Sequence, residues 1–167
     1  IKVATIPQTR IQVYFIDNDD YFTKRKMTVD DDGVEYADNG ERAVFFARGV
    51  LETVKKLRWV PDVIHCQGWM SAVIPFYIKT AYADEPSFSN TKVVTSLFAE
   101  KFNGSLADNF KRCIEHRDAT IDKLEAYPES FDYDVLAKFA IDYSDSVIDT
   151  NEAVNEELRK YAAEKLG

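Results

Sequence analysis

The residues best suited to binding chemistry lie in one short stretch, His65-Cys66-Gln67-Gly68-Trp69-Met70. Gln67 can both donate and accept hydrogen bonds, as recognition of a sugar hydroxyl requires. Gly68 allows the backbone to approach a ligand closely, and Trp69 can either stack on a sugar or pack into the core. A helix beginning near Trp69 would present free N–H groups and the positive end of its dipole to a polar ligand.

Other polar residues are interpreted as structural or solvated. His65 lies inside an apolar run, so we expect a buried neutral imidazole, and His116 lies among charged neighbours, so we expect a solvated one. Glu100 and Lys101 follow a predicted strand and are interpreted as a solvated loop pair.

The sequence offers no recognised cofactor or metal motif. Two histidines are too few for the usual zinc site, and the glycine-rich phosphate-binding motifs are absent. Cys66 and Cys113 are interpreted as reduced thiols of a cytoplasmic protein. We therefore expect neither a metal ion nor a cofactor.

The first part of the chain predicts a hairpin, a loop and a long helix. Residues 1–6 and 11–17 are rich in β-branched and aromatic side chains and predict two strands around a turn at 7–10. Residues 18–39 predict a polar surface loop. Apolar residues then recur at helical spacing over 41–57, with Asp38 and Glu41 at capping-box distance.

The rest of the chain alternates strands and helices. Strands are predicted over 62–66, 92–98 and 146–150. Helices are predicted over 69–81 (kinked at Pro75), within 110–127, and over 132–144 and 151–166, the last capped by Asn151. This alternation predicts an α/β fold with an open, mostly parallel sheet and helices on both faces. Ligands of such sheets bind beyond the carboxyl ends of the strands, here at 65–70, 96–105 and 150–151.

Composition narrows the class of protein. The 167 residues include 21 Lys or Arg and 29 Asp or Glu, a net charge of −8, and 46% are hydrophobic. That length and apolar share suit one packed domain. The acidic balance argues against nucleic acid and against a membrane surface as partner, and no apolar run approaches the length of a membrane span. Because the chain begins with Ile1, we expect a piece of a longer protein.

Several stretches together resemble bacterial glycogen and starch synthases. The pattern Asp-Asn-x-x-Arg at 38–42 matches a helix start of that family, and residues 61–70, Pro-Asp-Val-Ile-His-Cys-Gln-Gly-Trp-Met, match its next strand and turn. Residues 13–17, 21–22 and 140–145 also fit, so the resemblance covers nearly the whole chain.

The resemblance implies a retaining, metal-independent glucosyltransferase of two Rossmann-like domains, the GT-B architecture. Such enzymes move glucose from a nucleotide sugar, ADP-glucose or UDP-glucose, to an α-1,4-glucan. Residues 1–167 would be a single Rossmann-like domain, excised from the N-terminal, acceptor-side part and inactive without its C-terminal partner domain. The implied substrate-binding residues are Asp38, Asn39, Gly68 and Trp69.

Three departures from the family pattern leave an alternative open. Gln67 stands where the family places its active-site histidine, Ser96-Leu97-Phe98-Ala99 replaces a Thr-x-His-Asn stretch, and the Lys-x-Gly-Gly-Leu motif is absent. A glutamine cannot carry a positive charge or act as a general acid, although it can still hydrogen-bond a sugar. The alternative is a non-catalytic carbohydrate-binding or regulatory module that keeps the synthase fold.

Two further expectations follow from the residues. A flavodoxin-like or response-regulator-like domain fits the length, but the missing phosphate loop and acidic pocket count against it. If the chain is a fragment, an exposed sheet edge and an apolar patch should favour homo-oligomers.

Overall fold

The computed structural model describes residues 1–99, 101–150 and 154–166. The chain forms two compact units, Ile1–Tyr36 and Ala37–Gly167. In the described residues, no helix combines the length and the apolar character needed to cross a membrane.

The first unit is built on the predicted hairpin. Strand β1 (Lys2–Thr5) pairs antiparallel with β2 (Gln12–Phe15). The turn between them is closed by the N–H of Ile6, which donates to the carbonyl oxygen of Ile11 at 2.9 Å. The polar loop that follows turns at Asp30, whose carboxylate accepts the N–H groups of Asp32 and Val34, both at 2.9 Å. The hairpin and the loop are therefore confirmed.

The second unit contains a three-stranded parallel sheet flanked by helices, which confirms the predicted α/β class. Strands β3 (Val63–Cys66), β4 (Lys92–Leu97) and β5 (Ser146–Asp149) lie in the order β3-β4-β5. Five α-helices are described, namely α1 (Asn39–Lys56), α2 (Ile74–Lys79), α3 (Phe110–Ile114), α4 (Tyr133–Asp142) and α5 (Glu156–Leu166). Short 3-10 helices span Trp69–Ser71, Pro86–Phe88 and Ile121–Leu124.

The core of this unit is rich in aromatic side chains, and its helices contribute to it. The predicted apolar face of α1 is confirmed, because Ala43, Ala47 and Leu51 are fully buried. Between α2 and α4, the ring of Phe76 lies 5.1 Å from that of Phe139, centroid to centroid. Edge-to-face and tilted pairs of this kind stabilise a core beyond the area that they bury.

Two helix starts differ from the sequence expectation. The Asp38 side chain forms no capping hydrogen bond at the start of α1, so the predicted capping box with Glu41 is wrong. Pro75 kinks nothing, because it is the second residue of α2, where a missing N–H breaks no intrahelical hydrogen bond. The predicted helix over 69–81 is instead a 3-10 helix followed by the short α2.

The later helix starts follow local side-chain chemistry. The carboxylate of Asp132 accepts the N–H of Val135 at 2.8 Å and caps α4. Before α5, the Asn155 side chain accepts the N–H of Glu157 at 2.9 Å. The predicted cap Asn151 lies outside the described residues.

Apolar side chains are exposed around the start of β3. Trp59 and Val63 expose 42% and 54% of their surface, and Leu57 and Val60 are also exposed. Because β3 is an outer strand of the described sheet, these residues fit the predicted apolar patch beside a sheet edge. Self-association through that patch stays a prediction.

One carboxylate joins the amino ends of two strands to a helix. The N–H of Asp145 donates to the Val93 carbonyl oxygen at 2.8 Å, and the N–H of Val93 donates back to Asp145 Oδ2 at 2.8 Å. Lys79 at the end of α2 adds an ion pair at 3.0 Å. Burial alone would raise the pKa of Asp145, but the Val93 N–H and the Lys79 ammonium outweigh it and hold that pKa below its ordinary value.

His116 is not solvated as predicted. Its imidazole is half-buried, with ring centroids 6.3 Å from Tyr77 and 6.2 Å from Tyr82. The backbone around it turns back on itself, because His116 and Ala119 exchange two N–H···O bonds of 3.0 and 2.9 Å. The charged neighbours in sequence therefore face outward while the ring turns inward.

Replacing Asp145 should expose its contribution to stability. We expect Asp145→Ala to lower the free energy of unfolding by about 2 kcal/mol at pH 7, since it removes charge-assisted bonds from Val93 and Lys79. Asp145→Asn should cost less, because an amide oxygen can still accept the Val93 N–H. Denaturant unfolding measures both. The wild-type contribution should be present above the unfolded Asp pKa of about 3.9 and be lost as pH falls through the lower folded value. Equal stability of Asp145→Ala and wild type would contradict this role.

Protonation of His116 should destabilise the fold. Burial lowers its pKa below the ordinary value, Arg48 and Arg117 lower it further, and Glu52 opposes them. The unfolded chain therefore takes up this proton first, and the free energy of unfolding should fall as pH drops below about 6.5, by at most about 1.4 kcal/mol per pH unit. His116→Gln should flatten that slope in denaturant titrations. An unchanged slope in His116→Gln would refute the assignment.

Candidate functional site

The register of the sheet brings two of the predicted turns side by side. Cys66 at the end of β3 lies opposite Thr95, and Leu97 at the end of β4 lies opposite Asp149. The third turn contributes Thr150, whose hydroxyl donates to the Leu97 carbonyl oxygen at 2.7 Å. Glu100 and Asn151 lie outside the described residues. The polar residues after β3 and β4 therefore share one edge of the sheet.

Three side chains form a hydrogen-bonded row across this edge. His65 Nε2 lies 2.6 Å from Ser96 Oγ, and Gln67 Nε2 lies 3.4 Å from His65 Nδ1. Gln67 is exposed and Ser96 is buried. The row therefore runs from solvent to the buried side chain of Ser96 on β4.

His65 itself is exposed, so the predicted buried imidazole is wrong. Successive side chains of a strand point to opposite faces. In β3 this alternation leaves Val63 and His65 exposed while Cys66 is buried. An apolar run in the sequence cannot reveal which face of an outer strand is covered.

Gly68 shapes the turn that follows. Its backbone adopts φ +78° and ψ 158°, a region that is essentially restricted to glycine. Ser71 Oγ lies 2.8 Å from the Gly68 carbonyl oxygen and 3.0 Å from that of Gln67, and it donates to them. The Ser71 hydroxyl thus stabilises the turn, and the exposed Gln67 side chain lies on its solvent side.

Trp69 is 3% exposed, and its ring makes an edge-to-face contact with Phe102 at 5.5 Å. Two roles are predicted for the Trp69 indole, stacking on a sugar or packing into the core, and in the structure the indole packs into the core. The predicted helix N-terminus at Trp69 is wrong, because the 3-10 helix there ends at Ser71 and α2 begins only at Ile74. The N–H of Ser71, the last residue of that 3-10 helix, donates to the Gly68 carbonyl oxygen at 3.2 Å.

Beneath the turn lies a small cavity of about 30 Å³. Ser96 and Tyr133 are among its lining residues, together with Gly68 and Trp69. The Tyr133 hydroxyl donates to the Phe98 carbonyl oxygen at 3.2 Å. This volume is far too small for a sugar ring, and the exposed Gln67 does not line the cavity.

The other predicted binding residues stand at the start of α1, which packs against the 3-10 helix Trp69–Ser71. Asn39 and Arg42 are buried, and Arg42 Nη1 donates to Asn39 Oδ1 at 2.7 Å. Between them, a Cβ on Gly40 would lie only 2.7 Å from the Phe110 ring, so the helix can approach that ring closely only with glycine here. Asp38 is half-buried before the first turn.

The site holds little reactive chemistry of its own. Burial raises the pKa of the Cys66 thiol to about 12, which keeps it protonated and inert at neutral pH. Within residues 1–99, 101–150 and 154–166, no three His, Cys, Asp or Glu side chains are grouped to hold a metal ion. The polar side chains at this edge of the sheet can form hydrogen bonds with a polar ligand.

Sequence reasoning missed Ser96 as the partner of His65, and it missed Tyr133. The spacing of residues within one strand says nothing about which neighbour a side chain meets on the next strand. A signal existed only for Ser96, since it was already placed at the carboxyl end of a predicted strand.

Comparison with known proteins gives the chain its family. The sequence profile of the starch synthase catalytic domain matches residues 1–167. A glycogen synthase of Clostridium perfringens is 30% identical over 169 aligned residues, which cover 92% of this chain and 30% of that protein. Glycogen synthases of Chlorobium limicola and Chlorobium chlorochromatii are 39% and 41% identical over 98 residues, which cover 58% of this chain and 20% of each relative.

No solved structure matches the chain. The chain spans 20–30% of the length of these relatives. The profile match extends over every residue of the chain, and the parallel sheet flanked by helices is consistent with part of a Rossmann-like domain. The chain belongs to the starch synthase catalytic domain family, a family of glycosyltransferases.

Proposed function

We propose that the protein carrying this chain transfers glucose from a nucleotide sugar, ADP-glucose in the first instance, to an α-1,4-glucan. The observation that carries the proposal is the match of the starch synthase profile to residues 1–167. The chain would be part of the N-terminal domain of a cytoplasmic GT-B enzyme. A second Rossmann-like domain would complete the cleft, and the chain alone would be inactive.

The geometry of the sheet edge supports this proposal for the acceptor side. Gln67 is exposed beside a turn in which Gly68 places no side chain in the way of a ligand. Neutral hydrogen-bonding groups of this kind suit the hydroxyls of a glucan. We propose Gln67 as the residue that contacts substrate in the place of the family's histidine. Asp38, Asn39, Gly68 and Trp69 would shape the surrounding surface.

Glucosyl transfer by the full-length protein tests the proposal. We expect incorporation of label from ADP-glucose into glycogen, with UDP-glucose run in parallel to identify the donor. Gln67→Ala should lower kcat/KM about tenfold, the loss expected for one hydrogen bond to a substrate hydroxyl. The matched control is Gln8→Ala, because Gln8 is an exposed glutamine in the hairpin of the other unit. Absence of transfer by a folded protein with both donors would refute the enzymatic function.

A second candidate function is favoured by the same residue. Gln67 cannot act as a general acid, so the protein could bind glucan without turnover, as a carbohydrate-binding or regulatory module.

Calorimetry with maltooligosaccharides separates the two candidates. The module predicts measurable binding to the full-length protein with no transfer from either nucleotide sugar, and Gln67→Ala should weaken that binding about tenfold. Restoration of transfer by Gln67→His would identify the missing histidine as the reason for inactivity. Binding that is unaffected by Gln67→Ala, with Gln8→Ala as control, would remove this turn from the glucan site.

A further inference from the structure

The row formed by Gln67, His65 and Ser96 connects an exposed amide to a buried hydroxyl through a single imidazole. His65 Nδ1 faces Gln67 Nε2 at 3.4 Å, and His65 Nε2 faces Ser96 Oγ at 2.6 Å. Ser96 belongs to β4, which is paired on both sides in the described sheet. The imidazole is therefore anchored to the most constrained strand of this unit.

The donors and acceptors of this row determine where the imidazole proton lies. The Nε2 group of glutamine can only donate, so His65 Nδ1 must accept. A neutral imidazole has one N–H, which is then on Nε2 and donates to Ser96 Oγ. The contacts thus select one of the two neutral tautomers.

We propose that His65 is a positioning residue that orients the Gln67 amide so that its oxygen, Oε1, is offered to a hydroxyl of the substrate. With one Nε2 proton donated to His65, the orientations open to the amide are restricted, and its oxygen, Oε1, is the group that remains to accept from a substrate hydroxyl. An amide oxygen accepts from a hydroxyl but repels a carboxylate or phosphate oxygen. The row would therefore select a neutral polyol at this point of the surface, which deepens the proposed function and rests on it.

The tautomer can be measured without any substrate. Full-length protein labelled with ¹⁵N-histidine and studied by long-range ¹H–¹⁵N correlation at pH 8, where an ordinary histidine is neutral, reports which ring nitrogen carries the proton. We expect the proton of His65 on Nε2. The His65 signals are identified as those that are missing from the spectrum of the variant His65→Asn.

The variant Gln67→Glu should reverse the tautomer. A carboxylate cannot donate, so His65 would place its proton on Nδ1 and donate to Glu, while Nε2 accepts from Ser96. Gln8→Glu adds the same charge in the other unit and should leave the tautomer unchanged. A wild-type proton on Nδ1, or no change in Gln67→Glu, would overturn the proposal.

Kinetics of the full-length enzyme provide a second readout. His65→Phe and Gln67→Ala should each raise KM for glucan about tenfold with little change in kcat. The double variant should be no worse than Gln67→Ala, because the imidazole acts only through the amide. Additive losses would show that His65 contacts the substrate or supports the fold and would overturn the positioning role. If the protein transfers no glucose at all, the proposed function fails while the tautomer measurement still decides the present inference.

Discussion

The pairing between β4 and β5 is the constraint on which this unit depends. Asp145 forms both a backbone bond and a side-chain bond with Val93, so the amino ends of the two strands cannot slide past each other. A shift by one residue in a parallel sheet would invert the face that every side chain of the strand occupies. The same carboxylate holds α2 through Lys79 and thereby links the sheet to the aromatic core.

The chemistry at the opposite end of the sheet follows from that register. With β3 paired to β4, Cys66 lies opposite Thr95, which brings the residues on either side of them within reach of one another. His65 can then meet Ser96 across the strands, and Gln67, which directly follows β3, can meet His65 two residues before it. The arrangement needs no cluster of charges. It offers neutral hydrogen-bonding groups instead.

The sequence predicts the periodic parts of this structure well. The hairpin, the long α1, the strands of the parallel sheet and the helix α4 all follow from local patterns. Failures occur where features outside the helical or strand pattern decide. Pro75 lies in the first turn of α2 because that helix begins only at Ile74, after the 3-10 helix at Trp69–Ser71. His116 packs against Tyr77 and Tyr82, a tertiary contact that a charged local sequence does not reveal. The rule for parallel sheets places the predicted turns at one edge of the sheet, but it does not reveal that His65 meets Ser96 across the strands.

The backbone of Gly68 has a genetic consequence. Every single-base change in a glycine codon that alters the amino acid introduces a side chain or a stop, and no residue with a side chain adopts φ +78° and ψ 158° without strain. Every missense mutation of Gly68 that arises from a single base change is therefore expected to strain the backbone. Gln67 beside it has no positive φ and is exposed, so its side chain can be exchanged by single substitutions while the bend at Gly68 stays in place.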